Sequence, residues 1–548
     1  MGHEPRLLRT ATLIPLELWL LFSSAGILLA SNQFTAVDGA MRCLSVYWHR
    51  PPYLGPNNHL LYPLNVWMWW RLAQAVGVRA DGPATFLHLV AAMNAICAGG
   101  AVAVVHMLVW RFTQGWKTSL LAALVYGLSW VLLAHATTSA EPMVGLLVSL
   151  FAVLATAAGL RRDRLTPLFI GGVCLALALA NYESMFLVAP LLYSLCLIWP
   201  GKEGASDCTL PIRRSILRLL IIMLGTVAGV VTIYGSAYYS LGTTTVNEML
   251  RAFLQFGGEP EVYAGFRISK LANLPLGLID NSIAVLPSDY QGLRWLLSTR
   301  KIVSVAALVG IFALVAIALI LFARSVGPLC QSRRAKVFGL ACAIGLLFEL
   351  FPLLYWDPMY GKLWLQPLAL MVISGGVLAG RMDAASAHRC GGVVVVIIAL
   401  EVCINLPRVV FAHIEPTRCL DDASKAAELI GSHDKVVTDF DPVSSLWMAL
   451  YDNEPSRTLL FPATPASASL TRLDRWTWEC KRSGCRIMFV ALLEQPRDVW
   501  DAFLEKRLKV HYGTFDRYRH SSQSIERFSC ENGSLRVYEP ATIQMEVH

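Results

Sequence analysis

A mainly α-helical, multi-pass membrane protein, with about eleven spans and a small α/β domain at its C-terminal end, is the fold class the sequence predicts. Three observations carry it. Of the 548 residues, 55% are hydrophobic and only 15% charged, and mean hydropathy is +0.52, which places the chain among membrane proteins. Apolar runs of span length recur as far as Val410. After Phe411 the composition shifts to alternating helix-like and strand-like patches, so residues 1–411 form the membrane part and 412–548 the small domain.

The first run, Ala11 to Ala30, follows Arg6 and Arg9. It exceeds the ~7–15 apolar residues of a signal peptide and lacks a small-x-small cleavage site, so it reads as an uncleaved anchor. Further spans are expected at Ala84 to Trp110, Ser119 to Ala134, Pro142 to Leu160, Leu165 to Ala180, Ser184 to Trp199 and Ile216 to Tyr239. The last four are Ile302 to Ala323, Val337 to Trp356, Leu363 to Gly380 and Gly391 to Val410. Several are shorter than the ~20 residues a bilayer asks for, so boundaries carry a tolerance of a few residues and the count of one or two.

Basic residues orient these runs. Arg111 and Lys117, Arg161, Arg162 and Arg164, Lys202, Arg213 and Arg214, Arg324, Arg333, Arg334 and Lys336, and Arg381 and Arg389 fall in alternate loops, on the side of Arg6 and Arg9. The positive-inside rule makes that side, and the N-terminus, cytoplasmic. The same charge placement excludes a nucleic-acid partner, because the formal net charge of +8 is scattered in short clusters between spans. Leu60 to Val76, with Trp67, Trp69, Trp70 and Arg71, would invert the parity if it spanned. It is therefore expected to lie in the outer interface. Extracytoplasmic are then the loop 31–83, the tips at Glu141 and Glu183, the segment 241–301, the loop Asp357 to Lys362, and the tail.

In the tail, Asp421 to Ser432 and Arg497 to Lys506 read as helices, and Lys435 to Phe440 and Cys485 to Val490 as strands. Ser524 to Ser529 and Ser534 to Tyr538 read as a hairpin across Glu-Asn-Gly. Of thirteen cysteines, Cys97, Cys174, Cys196, Cys342 and Cys403 sit in apolar runs as small buried residues. Cys480 and Cys485 are the favoured disulfide in an oxidising compartment. Their C-x4-C spacing suits zinc less well. Asn532-Gly-Ser534 is a sequon relevant only in a eukaryotic lumen.

The stretch Ala36 to Pro63 is polar and aromatic among lipid-soluble neighbours, and candidate chemistry begins there. Asp38 precedes Gly39, which permits close backbone approach, and His59, Tyr62 and Pro63 end the same stiff loop. Glu141 and Glu183 stand at hairpin tips beside His135 and Tyr182. A tip is where an acid survives without a partner, but both tips crowding Asp38 would make an acid cluster able to share a proton or bind a divalent cation. Magnesium or manganese, held by Asp38 and Glu141, is the cofactor such a cluster would take. Lys362, in Asp357-Pro-Met-Tyr360-Gly-Lys362, suits a phosphate, and Asp289 with Tyr290 suits a lid hinged at Gly257-Gly258 and Pro260. An N-cap explains at least one of Asp439 and Asp441, and no glycine-rich phosphate loop follows them.

The pattern Asp38-Gly39 followed by His59-Leu-Leu-Tyr62-Pro63, together with the first anchor, the interfacial helix, the many spans and the soluble tail, resembles the GT-C class of membrane glycosyltransferases. Asp-Gly stands where many members have paired acids, which leaves metal dependence open. The resemblance implies hexosyl or pentosyl transfer from a polyprenyl-phosphate-linked donor to a lipid or glycan acceptor at the outer face of an inner cell membrane. It makes Asp38 the catalytic base and gives His59 a positioning or phosphate role. It places Arg42, Tyr62, Glu141, Glu183 and Lys362 around the substrates, with Arg42 and Lys362 on the phosphate. Glu349 and Glu401, inside spans, motivate the alternatives of a transporter or lipid flippase. An idle relative that only binds glycolipids would carry the same pattern.

Overall fold

The computed structural model describes residues 13–31, 37–47, 59–200, 212–240, 245, 268–285, 333–355, 361–380, 384–414, 418–438, 447, 458–460, 466–490, 522–527 and 534–538. Its bundle runs α1 Ile14–Leu28, α2 Val37–Tyr47, α3 Tyr62–Ala75, α4 Pro83–Thr113, α5 Trp116–Leu128, α6 Trp130–Ala136, α7 Pro142–Arg162 and α8 Leu165–Asn181. After a 3₁₀ turn at Glu183–Val188 come α9 Ala189–Ile198, α10 Ile212–Ser240, α11 Ile268–Ser282 and α12 Arg333–Tyr355. A second 3₁₀ turn, Gly361–Trp364, leads into α13 Leu365–Ala379 and α14 Ala384–Ile414. Helices α1, α3, α4, α7 and α9 start with proline in the first two positions, where its missing N–H costs nothing.

Six of the described helices are long and apolar enough to span, or seven if α5 and α6 form one span bent by 62°. The expected eleven full-length spans are therefore not what the described residues show. Helices α1 and α8 have 15 and 17 residues, about 22 and 26 Å at 1.5 Å per residue, short of a ~30 Å hydrocarbon core. The run Ser184 to Trp199 splits into a 3₁₀ turn and α9 at the approach to Pro190. Ser119 to Ala134 splits at Ser129, whose ψ of 141° is extended and whose hydroxyl donates to the Tyr126 carbonyl at 2.7 Å. Ile302 to Ala323 lies outside the described residues, as do Asp289, Tyr290, Gly257, Gly258, Pro260, Asp357, Tyr360, Asp439, Asp441 and Arg497 to Lys506.

Apolar side chains cover the bundle's outside as well as its core. Leu20, Leu21 and Leu28 on α1, Leu217, Leu220 and Val231 on α10, and Leu347 and Phe351 on α12 are exposed. In water such a surface would aggregate; in lipid it is the ordinary exterior of a multi-pass membrane protein. Small residues bring helices together: a Cβ on Gly172 would fall 2.1 Å from the Ile222 carbonyl oxygen, and one on Gly225 2.3 Å from that of Phe169, so α8 and α10 cross backbone to backbone.

Helix α3 buries one face and exposes the other. Its 14 residues bury Tyr62, Pro63, Val66, Trp70 and Ala73, while Leu64, Trp67, Met68 and Leu72 remain exposed on the other face. The Arg71 guanidinium lies over the Trp67 and Trp70 rings at 5.5 and 5.9 Å, keeping its charge at the rim.

The tail contributes α15 Arg418–Leu429, β1 Lys435–Thr438, β2 Thr458–Leu460, α16 Ala466–Ser483, β3 Ile487–Val490, β4 Gln523–Arg527 and β5 Ser534–Tyr538. The sheet order is β2-β1-β3-β5-β4, with β1 parallel to both β2 and β3, and β5 antiparallel to β3 and β4. The expected hairpin strands pair as read, and Cys480 is disulfide-bonded to Cys485. Strand β2 and helix α16 are additions to the sequence reading; the buried spacing Leu473, Trp476, Cys480 on α16 was the available signal. One core joins Cys43, Leu44, Tyr62, Trp70 and Phe86 of the first loop and α4 to Ala423, Val436, Trp447, Met488 and Val537 of the tail.

Candidate active site at one end of the bundle

The ends of α1, α6 and α14 meet: the Ser31 amide donates to the Thr137 carbonyl at 2.7 Å, and the His413 ring contacts the Ala30 carbonyl oxygen at 2.7 Å. The tips bearing Glu141 and Glu183 lie at this end, against the loop helices. Arg111, Arg161, Arg162 and Arg334 gather at the other.

His59 is the centre of the cluster. Its φ of 48° lies in the left-handed region, a conformation a non-glycine residue keeps only when its surroundings fix it. Here the His59 amide donates to Glu183 Oε1 at 2.9 Å, its carbonyl accepts from the Tyr62 amide at 2.9 Å, and its ring stacks on Tyr182 with centroids 4.6 Å apart. Nδ1 lies 2.7 Å from Glu183 Oε2 and Nε2 3.2 Å from Glu141 Oε2. An imidazolium, a donor at both nitrogens, matches two flanking carboxylates, whereas the neutral ring matches one.

Glu141, only 2% exposed, also meets two cations: Arg42 Nη1 at 2.9 Å and Lys362 Nζ at 3.7 Å. Lys362 also stands 5.7 Å from the centroid of Tyr182. Its 3₁₀ turn is pressed against α11, since a Cβ on Gly361 would lie 3.0 Å from Asn281 Oδ1. Burial pushes the Glu183 carboxyl up to about 7, and neighbouring Glu141 adds to the rise while Arg42 and Lys362 oppose it.

The strand of chain before Glu141 is held from three sides. The Tyr62 hydroxyl donates to the Ser139 carbonyl at 2.9 Å, and the Asn94 amide donates to Thr138 and Ala140 carbonyls at 2.8 and 2.6 Å. Gly39 lies against Ser139 so closely that a Cβ would fall 2.3 Å from its carbonyl oxygen. Tyr62 was expected at a substrate; it is fully buried and serves as a strut. Burial raises its hydroxyl well above the usual range and pushes the neighbouring Cys43 thiol up to about 12, so neither is a base at neutral pH. Asp38 sits in the first turn of α2, one residue before this contact, with its side chain outside the described residues.

So Arg42, His59, Glu141, Glu183 and Lys362, from five separate stretches of chain, share one cluster. Sequence reading missed its frame, namely Asn94 and the side-chain hydrogen bond from Asn65 to Asn181 that ties α3 to the Glu183 tip. A lone amide in the middle of the run Ala84 to Trp110 was the signal for Asn94. Glu349 and Glu401 are buried in α12 and α14. The carboxylates face organic cations, and among the described residues no three His, Cys, Asp or Glu side chains are arranged to hold a metal ion.

An apolar groove of about 530 Å³ leads away from Glu183. Leu179, Phe186, Tyr193, Met223 and Val230 line it, between α8, α9 and α10.

Two crystal structures of ArnT from Cupriavidus metallidurans, one in the apo state and one bound to undecaprenyl phosphate, match this architecture with TM-scores of 0.56 and 0.52. Each covers 95% of this chain and 97% of that chain at 12% identity. ArnT is a GT-C glycosyltransferase. The chain has the GT-C fold. At this identity the likeness is one of fold alone, and it agrees with the resemblance read in the first loop. No protein-family model and no curated protein matches the sequence. Within the GT-C frame of this chain, the Arg42–His59–Glu141 cluster lies where the first loop, two hairpin tips and the apolar groove converge.

Proposed function

We propose that the protein is a membrane glycosyltransferase that moves a sugar from a polyprenyl-phosphate-linked donor to a lipid or glycan acceptor at the outer face of an inner cell membrane. The observation that carries this reading is the apolar groove lined in part by Glu183, beside Arg42, His59 and Lys362, in a chain of GT-C fold. A long isoprenoid needs an apolar path from the lipid, and its phosphate needs positive charge at the end of that path. The ArnT structure bound to undecaprenyl phosphate supports the same lipid class. The gathering of Arg111, Arg161, Arg162 and Arg334 at the opposite end supports a cytoplasmic orientation for that end, with the cluster and the tail extracytoplasmic.

In this mechanism Asp38 takes the proton of the acceptor hydroxyl as its oxygen attacks the anomeric carbon. The bond from that carbon to the donor phosphate breaks, and Arg42 and Lys362 stabilise the departing lipid phosphate. Glu141 holds both cations, and Glu183 holds His59, so the charges are in place before substrate arrives. Since Glu141 and Glu183 already face Arg42, Lys362 and His59, the described residues fit catalysis by these cations better than a divalent ion. Purified protein with a polyprenyl-phosphate sugar and membrane glycolipid acceptors, read by mass spectrometry, tests the assignment. Asp38→Asn is expected to lower transfer by about 10²–10⁴-fold, and near-normal transfer would remove Asp38 from the mechanism.

A further inference from the structure

At the end of the bundle away from the candidate active site, a cavity of about 490 Å³ opens between α4, α7 and α12. Four arginines from three distant stretches line it: Arg111, Arg161, Arg162 and Arg334, with Gln114 and Trp110. Cytoplasmic arginines are common at helix ends, and those of α4 and α7 lie in last turns, where they suit the negative end of the helix dipole. Two features exceed that explanation.

The first is Arg334. It stands in the first turn of α12, which has 23 residues, so a positive charge has been placed at the positive end of a helix dipole. That arrangement favours an anion, which the helix N-terminus and the guanidinium would attract together. The second is that the arginines converge rather than disperse. Arg161 Nη1 donates to the Arg111 carbonyl at 2.8 Å, which draws two like charges together. Asp163, next to Arg162 in sequence, pairs with Arg214 and, at 3.0 Å, with Arg218. Among the described residues, the cavity lining holds no carboxylate.

The rest of the wall is apolar. Met107, Trp110 and Ala158 face the cavity, and Trp110 is the type of ring that sits at headgroup depth. We propose that this cavity binds the phosphodiester headgroup of an anionic phospholipid from the cytoplasmic leaflet, with its acyl chains along Met107 and Ala158. Guanidinium forks match phosphate oxygens in pairs, and basic pockets between spans are the sites where such headgroups are recognised. The site is separate from the proposed transfer reaction, and its test reads lipid retention, so the two readings stand or fall apart.

The test is native mass spectrometry of the purified full-length protein with phosphatidylglycerol and phosphatidylcholine of equal acyl chains, together with thermal unfolding in each lipid. Preferential retention of phosphatidylglycerol, a higher Tm in that lipid, and a loss of retention of at least about tenfold in Arg161→Gln/Arg334→Gln are expected. The pair Arg161→Lys/Arg334→Lys keeps the charge but loses the forks, and should fall between. Equal retention of the two lipids by the wild-type protein would overturn the proposal without any variant. So would an equal Tm rise with millimolar inorganic phosphate, which would assign the cavity to a free anion instead.

Discussion

The two ends of the bundle both collect basic side chains, and they hold them in opposite ways. At the candidate active site, Arg42, His59 and Lys362 close on Glu141 and Glu183 at 2.7 to 3.7 Å, on chain segments braced by Asn94, Tyr62 and Gly39. At the other end, Arg111, Arg161, Arg162 and Arg334 face a common cavity whose lining, among the described residues, has no carboxylate, and Asp163 is bound to Arg214 and Arg218. A braced mixed-charge cluster is built to keep its geometry when a substrate enters. A single-sign cavity is built to receive an opposite charge from outside.

The sharpest way to break this comparison is to remove the acid on which the first end converges. Glu141→Ala would leave Arg42, His59 and Lys362 crowded without their shared partner. A loss of about 3–5 kcal/mol in stability is expected for an opened buried pair, and transfer should fall below detection in initial-rate assays. Arg161→Gln, at the other end, should leave transfer in detergent within about twofold, as for a surface change remote from the site. Equal damage from the two changes would erase the distinction between the ends.

A smaller effect is expected from the bracing. Gly39→Ala drives a Cβ into the Ser139 carbonyl, at 2.3 Å before relaxation, and overpacking of this kind costs about 1–3 kcal/mol. The control is Gly82→Ala, where nothing lies within 4 Å of the added carbon and the loss of a glycine N-cap costs at most about 1 kcal/mol. Thermal unfolding of the two variants should separate them clearly, with Gly39→Ala also slowing transfer.

The mildest perturbation is pH. The Glu183 carboxyl, raised to about 7 by burial, is half-ionised near neutrality. Its ionised form is the one that accepts from the His59 amide and faces Nδ1. Transfer should therefore decline as pH falls through about 7, and Glu183→Gln should flatten that limb of the profile. An unchanged acid limb in the variant would assign the titration to another group.

Much of the site was legible because charge stands out against an apolar background. His59, Glu141, Glu183 and Lys362 were visible as polar residues at the ends of apolar runs, and parity alone put them on one side. Their mutual arrangement was not legible. The spacing of His59 from Glu141 and Glu183 in sequence says nothing of a ring held between two carboxylates, which depends on a left-handed backbone and a stacking Tyr182. The resemblance put Tyr62 near a substrate, but the partner of its hydroxyl, a backbone carbonyl in a distant loop, has no sequence signature. Span lengths were overestimated where a buried serine or proline breaks an apolar run, because hydropathy does not register a change of backbone direction.

The core that joins Cys43, Leu44 and Tyr62 to Val436, Trp447 and Met488 has a temporal consequence. Residues near position 40 leave the ribosome hundreds of residues before the strands that cover them, and the Ser31 side chain waits for the Ala412 carbonyl across 381 positions. Contacts of such separation form late and slowly. The first loop to be made is thus among the last to mature, and a chain stopped short of β3 and β5 would carry all five residues of the charged cluster on a platform still lacking its cover.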